Sequence, residues 1–179
     1  MLQMISHGLI AAAMFFITGS FYERTKTLSI PNMGGLAKVL PITFAFFLAS
    51  CLASLALPGM SGIISEITIF LGVTSQEQFT TLFRVITVVV AAIGLVLTPI
   101  YLLSLCRRVF FGPRIPALAF VDDMSPRELV IGLTLLVPTL TIGIWPRVAM
   151  DVYEASTDAL AETLSGHSLM ALSSLLPLG

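Results

Sequence analysis

Two titratable side chains lie inside apolar stretches of this chain, Glu66 and His7. Glu66 stands a short way past the Pro58-Gly59 pair, with Ser61 and Gly62 between. A carboxylate at membrane depth is costly and persists mostly where it carries ions or protons. Proline removes a backbone donor and glycine relaxes the chain, so a helix breaks there and offers polar groups to such a path. A carboxyl in that setting can load and release a proton. His7 lies about a third of the way along the first apolar run, beside Gly8. Imidazole titrates near neutrality and passes protons between its two nitrogens. The chemistry expected of the pair is proton relay, His7 handing protons toward Glu66. The plainer readings are a structural acid bonded to a neighbouring helix and a histidine that packs helices.

Other polar residues carry less. Ser6, Thr18, Ser20, Thr43, Ser50, Ser54, Ser65, Thr68, Thr87 and Thr98 are scattered through the apolar runs. They are expected to pack or to bond helix to helix. Lys38 is expected to snorkel to an interface, Arg107-Arg108 to set topology, and His167 to be solvated. Cys51 and Cys106 read as small buried hydrophobes, with no metal-ligand spacing around them. No hydrolase triad, phosphate loop, metal cluster or haem pair is visible, and no redox cofactor is expected in this chain.

The elements that must position Glu66 and His7 follow from hydropathy. The 179 residues are 56% hydrophobic and 11% charged, with a mean hydropathy of +0.99. A soluble domain carries about 25% charge, so this is an integral, multi-pass membrane protein. A net charge of −1 gives no argument for nucleic acid. The first crossing runs from Met1 to Phe21, with neither a basic leader nor a cleavage site before it. It begins without a cap, which points to a truncated protein. A polar loop, Glu23 to Lys38, holds Pro31 and Gly34-Gly35. Residues Leu40 to Val73, interrupted at Pro58-Gly59, read as one crossing made of two half-helices. A tight re-entrant pair is the rival reading. The third crossing spans about Leu82 to Leu105 and contains Pro99. The fourth opens on a capping box, Ser125-Pro126-Arg127-Glu128, runs to Trp145 and contains Pro138. Both prolines are expected to kink their helices.

The fold class expected is therefore an all-α membrane bundle of about four crossings over residues 1–145, the second one broken. Residues 146–179 form an amphipathic tail. Its apolar side holds Val148, Val152, Ala155, Ala159 and Leu160, opposite Asp151, Glu154, Asp158 and Glu162, and suits an interface or a neighbouring subunit. Gly166 is expected to break the tail helix, and the last dozen residues are too short to span. Lys and Arg cluster in the loops after the first and third crossings. The positive-inside rule then puts both chain ends in the opposite compartment.

Several segments together carry a family resemblance. Gln3-Met4-Ile5-Ser6-His7-Gly8-Leu9, Phe21-Tyr22-Glu23-Arg24-Thr25 and Met33-Gly34-Gly35-Leu36 occur in that order. Leu57-Pro58-Gly59-Met60-Ser61-Gly62 with Glu66 downstream, Arg108-Val109-Phe110-Phe111-Gly112 and Pro126-Arg127-Glu128 follow. The chain resembles the C-terminal part of the antiporter-like proton-pumping subunits of complex I, subunit M in bacteria. The chain 4 type of cyanobacterial and plastid NAD(P)H-quinone oxidoreductases looks nearest. The resemblance implies a fold of about fourteen helices in two inverted repeats, of which this chain holds the last four. It matches His7 to the histidine of that family's central polar axis. Glu66 matches the acid on the second broken helix, where the proton path of this subunit type ends. It also implies an upstream repeat, so a fragment or a split gene is expected here. Quinone and NAD(P)H or ferredoxin would be handled by other subunits, with other membrane subunits and the lipid bilayer as partners. The location implied is a cyanobacterial thylakoid or plasma membrane, both ends lumenal or periplasmic. A subunit of a multi-subunit sodium/proton antiporter and a non-transporting structural remnant are the alternatives.

Overall fold

The computed structural model describes residues 1–113, 115–118 and 120–175, with side chains in the last helix described as far as Thr163. Six α-helices follow one another: α1 (Leu2–Thr25), α2 (Pro41–Ser54), α3 (Ser61–Ser75), α4 (Thr81–Phe110), α5 (Pro126–Ile144) and α6 (Arg147–Leu175). Short 3-10 turns occupy Ile30–Asn32, Leu36–Lys38 and Pro116–Leu118. No strand occurs among the described residues. α1, α4 and α5 are each long and apolar enough to cross a membrane.

α2 and α3 have 14 and 15 residues, about 21 and 22 Å, each short of the ~30 Å hydrocarbon core. They stand in series and together make the second, broken crossing, as α4 demonstrates. The second half of α4 packs on α2, with Leu102, Cys106 and Phe110 sharing a core with Phe47 and Cys51. Its first half lies along α3, with Thr87 to Thr98 facing Glu66 to Val73 across a cavity. One 30-residue helix thus covers the height of both half-helices, which excludes the re-entrant pair. The same order appears on α1. Ser61 meets Ser6 and Ser65 meets Gln3 near its start, while Phe21 near its end shares the core with Phe47 and Leu40.

The break itself is tight. After α2 the chain passes through Ala56 at φ +50 and Gly59 at φ +90. The first is costly for a residue with a Cβ and the second natural for glycine. Gly143, in the last turn of α5, sits against the Gly59 carbonyl and the Met60 backbone, where any Cβ would overlap them. A Cβ on Gly62 would lie 2.8 Å from the Ala53 carbonyl oxygen. The small residues therefore let three backbones converge.

At the opposite end an aromatic cluster holds the bundle. The Phe110 ring lies 5.4 Å from Phe21, 5.0 Å from Phe44 and 5.2 Å from Phe47. Lipid is as apolar as these rings, so the gain there is close packing rather than escape from water. The segment after α1, read from sequence as a polar loop, also contributes core. Met33 and Leu36 are buried in this cluster, and Gly34 sits against the Pro113 carbonyl. α1 extends a turn past Phe21, ending where Lys26 takes a left-handed conformation and donates to the Tyr22 carbonyl.

The capping box of α5 is present, Ser125 and Glu128 bonding reciprocally. Pro99 and Pro138 both lie inside continuous helices. α4 runs to Phe110, so Arg107 and Arg108 occupy its last turn, where cations complement the helix dipole. Arg114, in the basic loop after α4, lies outside the described residues. Gly166 does not end the tail helix, whose backbone continues to Leu175. A glycine inside a helix costs about 1 kcal/mol relative to alanine, too little to stop one this long. The His167 side chain and residues 176–179 lie outside the described residues. α6 packs its Ala149 side on Leu2 and Ile142, with Tyr153 beside them. Val148, Val152 and Leu160 of the expected apolar side remain exposed, uncovered by the described residues.

Candidate functional site

Glu66 sits in the second turn of α3, half-buried. It lines a cavity of about 290 Å³ between α3 and α4, walled by Ile69, Phe70, Thr87, Ala91, Leu95 and Thr98, with Ser54 and Leu55 at the break. Among the described residues its carboxyl has no hydrogen-bond partner. Two features of α4 put polar groups opposite it. Pro99 has no N–H to give the Leu95 carbonyl, and the Thr87 hydroxyl makes no hydrogen bond among the described residues. The Thr98 hydroxyl donates to the Gly94 carbonyl at 2.9 Å.

His7 is exposed, one turn before the buried Ile10, on the side of α1 that looks toward the second half of α4. It lines a second cavity, about 410 Å³, with Ala11, Phe15 and Thr18 of α1 and Tyr101 and Leu105 of α4. His7 and Glu66 are not in contact. Each has its own cavity along α4, and the two cavities share one lining residue, Ser54. Pro58, Gly59 and Gly62 form the break that ends α2 beside both, and Gly62 begins α3 packed against Ala53.

The scattered hydroxyls divide as their surroundings require. Ser6 and Ser61 share a hydrogen bond of 2.6 Å, wholly buried between α1 and α3. Ser65 donates to the Gln3 side chain. Thr18, Ser50 and Thr68 return to carbonyls of their own helices. These bonds join or stiffen helices, as expected from sequence. Cys51 and Cys106 are buried free thiols in the apolar core. Lys38 is exposed beside the start of α2.

The strongest polar constellation lies at the other end and was not singled out from sequence. Arg24 forms a two-pronged pair with Glu128. Nη1 lies 2.7 Å from Oε1 and Nη2 lies 2.5 Å from Oε2, with the side chains 14% and 16% exposed. Arg24 also donates to the Ser20, Asp122 and Asp123 carbonyls, and the Ser20 hydroxyl donates to Glu128 at 2.7 Å. One guanidinium thus joins α1, the loop before α5 and the first turn of α5. The planar fork of arginine fits this, and the point charge of lysine does not.

Asp123 does a related job for α2. Its carboxylate accepts from the Ile42 and Thr43 N–H groups at 2.7 and 3.0 Å and from the Thr43 hydroxyl at 2.6 Å. These N–H groups belong to the first turn of α2, whose own preceding residue, Leu40, offers no side-chain cap. A residue far along the chain therefore caps this helix. Burial pushes the Asp123 carboxyl up, but the bonds from Thr43, Ile42 and Met124 outweigh it and hold the group below the usual carboxylate range.

An all-helical bundle with three helices of membrane-spanning length and two shorter apolar helices in series defines a polytopic membrane protein. Residues 1–94 match the NADH:quinone oxidoreductase/Mrp antiporter transmembrane family, and the chain belongs to that family. It is 55% identical over 168 residues to NAD(P)H-quinone oxidoreductase chain 4 1 of Synechococcus elongatus, covering 93% of this chain and 31% of that protein. NAD(P)H-quinone oxidoreductase chain 4 2 of Thermosynechococcus vestitus is 49% identical over 168 residues, covering 93% and 32% respectively. The chain 4 1 protein of Nostoc sp. is 48% identical over 163 residues, covering 89% and 30%. The chain thus spans about a third of the length of the curated relatives it matches.

Proposed function

We propose that this chain forms part of the proton path of a membrane-bound NAD(P)H- or ferredoxin-quinone oxidoreductase. Glu66 loads and releases the proton, and His7 passes protons toward it. The observation that carries this reading is the Glu66 carboxyl, without a hydrogen-bond partner in a cavity on the second half-helix. A structural acid would be expected to hold a partner on a neighbouring helix. Quinone and nucleotide or ferredoxin chemistry belongs to other subunits in this reading, and further membrane subunits are its neighbours. The relatives are cyanobacterial, which favours a thylakoid or plasma membrane. The basic loops face the cytoplasm and both ends the lumen or periplasm. Residues 1–145 act as the transmembrane unit and 146–179 as an interfacial tail.

The test is Glu66→Gln in the native membrane complex, with redox-driven proton uptake into vesicles as the readout. Proton movement is expected to disappear while the complex still assembles and oxidises its donor. Undiminished pumping overturns the assignment. The family description also names the Mrp antiporter, which favours a second reading, sodium/proton exchange. In that case proton movement would follow an imposed sodium gradient with no electron donor present.

A further inference from the structure

We infer that Ser54 is the hydroxyl through which the His7 cavity and the Glu66 cavity exchange protons. The inference rests on the proton path proposed above and names its crossing point. Ser54 is the last residue of α2, placed at the break by the Pro58-Gly59 interruption. It lines the cavity of about 410 Å³ that holds His7 and the cavity of about 290 Å³ that holds Glu66. A water molecule occupies about 30 Å³, so each cavity has room for a short chain of them. The nearby serines are committed elsewhere, Ser50 to the Phe46 carbonyl, Ser61 to Ser6 and Ser65 to Gln3. Among the described residues the Ser54 hydroxyl has no partner. Its own carbonyl also receives no helical donor, because the chain leaves the helix and the next backbone bonds go to Cys51, Ala53 and Leu52. A hydroxyl both donates and accepts. It can take a proton from water on the His7 side while giving its own to water on the Glu66 side. Ser54 ends the step unchanged, His7 loses one proton and the Glu66 carboxylate gains one. Across α4, Tyr101 and Thr98 flank the same level, one on each cavity.

The experiment compares Ser54→Ala, Ser54→Thr and Glu66→Gln in the intact membrane complex, reading protons moved per electron pair. Ser54→Ala is expected to lower proton movement about a hundredfold, the low end for a positioned proton-transfer group, with donor oxidation and assembly retained. Ser54→Thr, which keeps the hydroxyl, is expected to restore most of it. Unchanged pumping in Ser54→Ala overturns the inference. If Glu66→Gln abolishes pumping in the same membranes, the proton path itself still stands. Normal pumping in all three overturns both. Equal loss in Ala and Thr with the complex assembled assigns Ser54 a packing role and also overturns the inference. Should Ser54→Ala not assemble, Ser54→Cys decides the point. A small water-soluble thiol reagent is expected to label it faster than the parent chain, whose two thiols are buried. Labelling no faster than in the parent overturns the inference.

Discussion

Asp123 illustrates how much one side chain can settle. It accepts three bonds from the first turn of α2 and one from the Met124 N–H, and these hold its carboxyl below the usual range despite partial burial. A folded-state value below the unfolded one, about 3.9, makes the ionised group a source of stability above that pH. The contribution is lost as pH falls through the folded value. Asp123→Asn is therefore expected to cost about 1 kcal/mol at pH 7, since it removes the charge from the start of α2 and replaces one of two accepting oxygens by a donor. The parent and variant melting curves in detergent, followed through Trp145 fluorescence, should converge toward pH 3. A constant gap across that range would show that the charge is not what matters. None of this was legible in the sequence, because Asp123 and Thr43 are far apart in the chain and caps are normally local. Arg24 escaped notice for the same reason. A basic residue at a helix end reads as a topology signal, and its fork onto Glu128 exists only once α1 and α5 pack. Glu66 and His7 were legible because their cost at membrane depth is a property of the residue itself.

Among the elements, the broken crossing was the easiest to read and the best specified. Pro58-Gly59 marked it, and the chain there takes conformations that only a break requires. What the sequence could not convey was why Gly143 stands at the end of α5, since glycine in an apolar helix is unremarkable. It lets α5 touch the backbone of the break. Gly143→Ala is expected to destabilise the bundle by about 1–3 kcal/mol, as overpacking usually does. It should also lower proton movement by displacing Ser54 and the start of α3. Gly72→Ala, whose Cβ meets nothing within 4 Å, should be harmless or slightly stabilising. Thermal unfolding in detergent compares the two, and equal melting temperatures would remove the close approach as a reason for glycine. The tail is helical as expected, and its apolar stripe, expected to meet an interface or a neighbouring subunit, is left uncovered by the bundle among the described residues. Periodicity located that stripe at Val148 and Val152, while Ala149 and Tyr153 meet the bundle. A short side chain permits the nearer approach, which a hydropathy pattern does not rank.

The whole chain leaves much apolar surface uncovered. In α4 only 6% of its most apolar stretch is buried, and Leu82, Val90, Val96 and Ile100 are each more than 60% exposed. Lipid or neighbouring subunits must cover such a face. In native membranes the chain is expected to migrate on a non-denaturing gel with the flavin- and iron–sulfur-bearing subunits of a redox complex. Migration with partners that lack redox groups would favour the sodium/proton reading. The bonds within the chain are also unevenly distributed. Arg24, Glu128, Ser20, Asp123 and Thr43 tie α1, α2 and α5 together at the basic end, above the rings around Phe110. Along α3 and the first half of α4, a single side-chain bond, Arg84 to the Thr74 carbonyl, joins the two helices among the described residues. Mechanically this is a cantilever, with a clamped root, a looser tip where α3 turns into α4, and Glu66 between the two. A push delivered to that tip by a neighbour travels down α3, past Glu66, to the six tightly packed residues between α2 and α3, and Ser54 stands where it would arrive.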